Sequence, residues 1–93
     1  MSNRLANKIT IITGATSGIG EATARRFIEE GATVVLAGRS EEKGEALAKE
    51  LGERAVFKRT DIMSEDDIAA LVDFTVDKFG RLDCLFNNAG AGD

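Results

Sequence analysis

Short β-branched runs alternate with longer stretches of helical periodicity along the whole chain, and this alternation constrains the fold more than any other feature. Lys8-Ile9-Thr10-Ile11-Ile12-Thr13 reads as a buried strand. A glycine-rich turn follows, and then a helix over 18–30 with Ile19, Ala22, Phe27 and Ile28 on its inner face; Gly31 stands where a C′ glycine stops it. Thr33-Val34-Val35-Leu36-Ala37 is a second buried strand. Ser40 caps the next helix, Glu41 and Glu42 favour its first turn, and Gly44, Leu47, Ala48 and Leu51 form its inner stripe before Gly52 ends it. Ala55-Val56-Phe57-Lys58-Arg59 alternates and carries a lysine, as edge strands do. Ser64 caps a third helix, with Asp67 placed for a weak capping box. Ile68, Leu71, Val72, Thr75, Val76 and Phe79 share one face of that helix and Gly80 ends it. Leu82-Asp83-Cys84-Leu85-Phe86 is the last strand, followed by Asn87-Asn88-Ala89-Gly90.

Strands that alternate with helices pair in parallel through right-handed crossovers. The expected fold class is therefore α/β: a Rossmann-type doubly wound parallel sheet, βαβαβαβ, with strand order 3-2-1-4. The first two helices cover one face and the third returns on the other. Ligands of such sheets bind beyond the strand C-termini, where the order reverses between the first and fourth strands. The 93 residues suit one domain or part of one. Proline is absent, where average usage would place about five, in keeping with uninterrupted helices and central strands. The architecture reads as unfinished. An apolar fourth strand wants a neighbour on its far side, and one helix cannot cover the second face. The expectation is that residues 1–93 form the N-terminal part of a larger dinucleotide-binding domain whose C-terminal half is absent.

Composition removes several functions. With no histidine there is no Ser-His-Asp triad and no histidine-metal cluster; a single cysteine allows neither an internal disulfide nor a cysteine zinc site. There is no tyrosine, so no phenol in this chain can serve as a proton donor. A net charge of −4 argues against a nucleic-acid partner. No apolar run approaches a membrane span and no signal-peptide stretch opens the chain, so the expected location is cytoplasmic. Cys84, mid-strand in an apolar run, reads as a buried inert thiol, and the five phenylalanines as core or helix–sheet packing.

Chemistry concentrates in Thr13-Gly14-Ala15-Thr16-Ser17-Gly18-Ile19-Gly20, between the first strand and the first helix. Gly14 permits a tight turn, Gly18 removes a Cβ where a pyrophosphate must approach backbone, and Gly20 lets helix and strand close up. The helix N-terminus offers free N–H groups to an anion, and Thr16 and Ser17 add hydroxyl donors. The plain alternative is a glycine turn that binds nothing. At the end of the second strand, an acidic residue would bind a ribose 2′-OH and repel a 2′-phosphate. The chain has Gly38-Arg39 there: space, and a planar fork suited to a phosphate, or else a solvated surface cation.

The spacing Gly-x-x-x-Gly-x-Gly at 14–20, with Asp61 after the third strand and Asn87-Asn88-Ala89-Gly90 after the fourth, resembles the short-chain dehydrogenase/reductase family in its compact single-domain form. The resemblance runs from Lys8 to Gly90. It implies that Gly14, Thr16, Ser17, Gly18, Ile19 and Gly20 surround the pyrophosphate of a nicotinamide dinucleotide. It implies that Asp61 accepts from the adenine amino group and that the Ile62 backbone meets the ring. Asn88, Ala89 and Gly90 would line the ribose side, with Asn87 steadying the sheet. Asp61 reads equally as a turn residue before Ser64, and Asn87 and Asn88 as turn formers bonding to backbone. Arg39 favours NADP(H) over NAD(H), although Ser17 stands where phosphate-preferring members often carry a second basic residue. The family's chemistry is hydride transfer with a carbonyl or alcohol substrate, often in a homo-oligomer. Its Tyr-x-x-x-Lys helix, its serine and its further asparagine belong after the fourth strand, so no catalytic residue and no metal ligand is assigned here. The competing expectation is a natural truncated nucleotide-binding or interaction module without catalysis, marked by dimerisation through the fourth strand. A methyltransferase-like Rossmann enzyme stands lower, because it has no use for Arg39 or the Asn-Asn-Ala-Gly turn.

Overall fold

A computed structural model describes residues 6–15 and 18–87. The elements run β1 (Ile9–Thr13), α1 (Gly18–Glu29), β2 (Thr33–Gly38), α2 (Glu41–Leu51), β3 (Ala55–Arg59), α3 (Glu65–Phe79) and β4 (Cys84–Asn87). The strands form one parallel sheet in the order β3-β2-β1-β4, as the alternation predicts.

Side chains alternate across the strands and divide the core into two layers. Ile12, Val34 and Leu36 face α1 and α2, where they meet Ala24, Leu47 and Ala48. Ile11, Val35 and Ala37 face α3 and its Leu71. The first two helices thus share one face and the third lies alone on the other. β2 has a neighbour on each side, and Val34 to Ala37 are fully buried.

Local signals account for the helix ends. Ser40 Oγ accepts from Lys43 N–H and Ser64 Oγ from Asp67 N–H. Gly31, Gly52 and Gly80 all have positive φ, and Gly80 closes α3 in the left-handed region. Gly44 is required by packing, since a Cβ there would overlap the Phe57 ring of β3. The capping box at α3 is only half formed. Asp67 Oδ2 accepts from Asp61 N–H at 2.8 Å, so its carboxylate braces the incoming loop rather than the Ser64 amide.

Three packing expectations are corrected. Ile19 is 60% exposed and Ala22 is exposed; the inner stripe of α1 begins at Gly20 and Ala24 instead. Ile19 belongs to the first turn, at the C-terminal rim of the sheet, and the residues that seat α1 on β1 are small because the approach is close. Val76, expected on the inner face of α3, is exposed. Cys84 is also exposed, because β4 bonds to β1 on one side and has no strand beyond it among the described residues. Leu85 and Phe86 are 51% and 37% exposed for the same reason, which agrees with the expected open edge. Phe86 keeps one edge-to-face contact with Phe27 of α1, centroids 6.2 Å apart.

β4 starts at Cys84 rather than Leu82. Ahead of it, Asp83 pins the strand to β1: its N–H donates to Ile9 O at 2.9 Å and its Oδ2 accepts from Ile9 N–H at 2.7 Å. Hydrogen bonds from the Arg81 guanidinium, joined by the Ile9 amide, hold the Asp83 carboxyl below the usual carboxylate range.

Candidate functional site

The sheet order places the C-terminal ends of β1 and β4 side by side, with those of β2 and β3 following on the far side of β1. The first chemical feature on this rim is the turn leaving β1. Gly14 has φ 62, a conformation that glycine adopts without strain. Ala15 N–H donates to Ala37 O, which ties the turn to β2. Gly20 lies against the turn, and a Cβ there would overlap the Gly14 carbonyl oxygen and fall 2.9 Å from Ala15 Cα. Gly18 is different. A Cβ built on it meets no atom of the described residues within 4 Å, and its φ is not positive. Two of these three glycines are required by the protein's own geometry, whereas Gly18, at a helix N-terminus, is required by none of its described neighbours. That position fits an anionic group approaching the first turn of α1, where N–H groups and the positive end of the helix dipole point outward. The exposed Ile19 side chain adds an apolar surface at the same rim.

Beside the turn, Thr13 Oγ1 donates to Asn87 Oδ1 at 2.9 Å, joining the ends of β1 and β4. Asn87 therefore steadies the sheet, as the resemblance implies. Composition and periodicity give Thr13 no role of its own; a threonine as the last strand residue before the glycine turn is the signal that marks it. Asp61 serves its turn: Oδ1 accepts from Met63 N–H at 2.9 Å and its carbonyl accepts from Ser64 N–H. No described protein donor bonds to its other carboxylate oxygen. Ile62 and Met63 border a cavity of about 450 Å³ between α3 and the ends of β1 and β4, with Thr13, Leu71, Leu85 and Asn87 on its other walls. Arg39 is exposed immediately after β2. Thr16, Ser17, Asn88, Ala89 and Gly90 lie outside the described residues.

A family model of the short chain dehydrogenase matches residues 8–93. The chain belongs to the short-chain dehydrogenase family. Within the family it is similar to tropinone reductase-like 1 of Erythroxylum coca, at 53% identity over 87 residues, which is 94% of this chain and 32% of that protein. It is similar to L-fucose dehydrogenase of Oryctolagus cuniculus at 49% identity, over 95% of this chain and 31% of that one. Among solved structures it resembles a 3-ketoacyl-(acyl-carrier-protein) reductase from Brucella melitensis, crystallised with NADH, with a TM-score of 0.84 and 42% identity. That likeness covers 87% of this chain and 33% of the reductase. The chain thus spans about a third of the length of the curated relatives it matches.

The match spans the elements that build the rim, from β1 through β4. Among the described residues no group of three or more acidic, cysteine or histidine side chains is placed to hold a metal ion. No helix among them is long and apolar enough to cross a membrane.

Proposed function

We propose that this chain is the cofactor-binding part of an NADP(H)-dependent oxidoreductase acting on a carbonyl or alcohol substrate, homo-oligomeric in its full-length form. The observation that carries the reading is Gly18: a glycine that no described neighbour requires, at the N-terminus of α1 between two glycines that packing and backbone do require. In this reading Gly14, Thr16, Ser17, Gly18, Ile19 and Gly20 hold the pyrophosphate through backbone N–H groups and hydroxyls. Asp61 uses its remaining carboxylate lone pairs on the adenine amino group, and the Ile62 backbone meets the ring. Asn88, Ala89 and Gly90 line the ribose side. The nicotinamide, when bound, supplies or receives the hydride. This chain binds and orients; with no tyrosine it assigns no proton donor of its own.

The NADH in the Brucella reductase supports a nicotinamide dinucleotide as the ligand class. The preference for NADP(H) rests on Gly38-Arg39, which offers a guanidinium where a carboxylate would repel a 2′-phosphate. Titration with NADPH and NADH tests it. NADPH binds more tightly, and Arg39→Ala removes the difference; equal affinities in the unmutated chain overturn the preference. Gly18→Val abolishes binding of both while the melting temperature stays within a few degrees, because the added side chain enters open space. The second reading, a nucleotide-binding or interaction module without catalysis, is favoured by the exposed β4 edge. It requires that the full chain self-associate and that Leu85→Lys abolish the association.

A further inference from the structure

Asp61 follows the end of β3, and its backbone is held more closely than a turn requires. Thr60, fully buried, donates its N–H to Gly38 O at 2.8 Å, which fixes the start of the loop to the end of β2. Ser64 N–H donates to Asp61 O at 2.9 Å and closes the turn, while Met63 N–H donates to Asp61 Oδ1 at 2.9 Å. The Asp61 N–H serves neither the ladder nor the turn. The register with β2 ends at Gly38 and Arg59. Asp67 Oδ2, six positions on in the first turn of α3, accepts from that N–H at 2.8 Å.

These bonds form a closed ring. Asp61 N–H donates to the Asp67 carboxylate, Asp67 N–H to Ser64 Oγ, and Ser64 N–H to Asp61 O. Residue 61 is therefore held on both sides of its Cα, and its Oδ1 by a further bond. One carboxylate oxygen remains, and the ring sets its direction. Helix capping does not explain the arrangement. A reciprocal cap would direct the Asp67 carboxylate to the Ser64 amide, but that amide bonds to Asp61 O. Glu65 and Asp66 share the first turn and the charge with Asp67, yet neither bonds to the loop among the described residues. A carboxylate accepting from a backbone N–H makes a strong, charge-assisted bond, and Asp61 and Asp67 are both half-buried, which limits competition from water.

We propose that Asp67 is a positioning residue for base recognition: through the Asp61 N–H it holds the Asp61 carboxylate in the orientation that reads the 6-amino group of adenine. This rests on the adenine role given to Asp61 above and deepens it. Asp67 acts through Asp61 and not on the ring itself. The consequence is selectivity. Adenine presents a donor at C6. Hypoxanthine presents a carbonyl there and an N–H at the neighbouring ring nitrogen. A carboxylate free to turn follows the N–H and binds both bases, whereas one held in place meets the carbonyl and rejects it.

Calorimetric titration of the full chain with NADPH and with its hypoxanthine counterpart isolates the purine edge, the only place where these probes differ. The unmutated chain prefers NADPH by about tenfold, the size of one charge-assisted hydrogen bond, and Asp61→Ala removes the preference. Asp67→Ala, and Asp67→Leu, which fills the same space without an acceptor, bring the ratio to within about twofold. Asp67→Asn keeps an oxygen for the Asp61 N–H and keeps most of the preference. Loosening of α3 alone would weaken both probes and leave the ratio in place. If Asp67→Ala and Asp67→Leu keep the ratio while Asp61→Ala loses it, Asp67 does not position Asp61 and the adenine reading stands. If Asp67→Asn loses the ratio as fully as Asp67→Ala, the charge of Asp67 acts rather than its bond, and the positioning role is wrong. If the unmutated chain binds the two probes equally or binds neither, or if Asp61→Ala keeps the ratio, the adenine reading fails and the positioning role fails with it.

Discussion

β2 and β4 look alike as strings and differ completely as structure. Val34-Val35-Leu36-Ala37 and Cys84-Leu85-Phe86 are both short apolar runs after a glycine-terminated helix. The first has a strand on either side and helices on both faces, and none of its apolar side chains meets solvent. Among the described residues the second bonds only to β1, and all of its residues are exposed. An apolar strand sequence records what the residues require for burial; it does not say whether the described chain supplies it. Here β1 and α1 supply part of it, through the ladder and the Phe27–Phe86 contact.

The widest test of that contrast is a matched pair of truncations. Leu36→Ala, deep in β2, is expected to cost about 2–5 kcal/mol in denaturant unfolding. Leu85→Ala, half exposed in β4, is expected to cost below about 1 kcal/mol. Equal costs would mean that β4 is covered as thoroughly as β2, and the contrast would vanish.

A smaller effect lies on the strand between them. Thr10 of β1 stands in register with Val34 on one side and Cys84 on the other, and its hydroxyl is buried without a hydrogen-bond partner among the described residues. Thr10→Val keeps the shape and removes the unmet polar group, so it should stabilise by up to about 1 kcal/mol. A destabilised variant would show that the hydroxyl has a partner in solution.

The smallest effect sharpens the comparison at the start of β4. The Asp83 carboxyl is held below its ordinary pKa, so its contribution is fully present above the unfolded value of about 4 and is lost as pH falls through the lower folded value. Thermal melts between pH 6 and 2 should therefore lose stability less steeply in Asp83→Asn than in the unmutated chain. Identical acid limbs would remove Asp83 from the pinning of β4.

What could be read from the sequence was what local chemistry decides. Ser40 and Ser64 cap because a hydroxyl before a helix has orphan amides within reach, and Gly31 and Gly80 stop helices because their φ is positive. The strand order followed from alternation and crossover handedness, and with it the rim that gathers Gly14, Gly18, Arg39 and Asp61. Distant neighbours decide the rest. Hydropathy points Ile19 inward, but the close approach of α1 to β1 selects Gly20 and Ala24. The apolar context of Cys84 points to the interior, but burial there needs a strand beyond β4. The spacing of Asp67 suits a reciprocal cap, whereas the loop carrying Asp61 offers its carboxylate another amide.

The strand order also has a consequence in time. Thr13 of β1 meets Asn87 of β4 across 74 positions, while β1 finds β2 as soon as one helix intervenes. Contacts so far apart in the chain are slow to close, because the loop between them must first lose its freedom. On the ribosome β1 is made before β2, and it can dock early against that strand, then wait with one flank open until β4 has emerged. Of the two interior strands among the described residues, β1 is thus the earlier made and the later to gain its second neighbour.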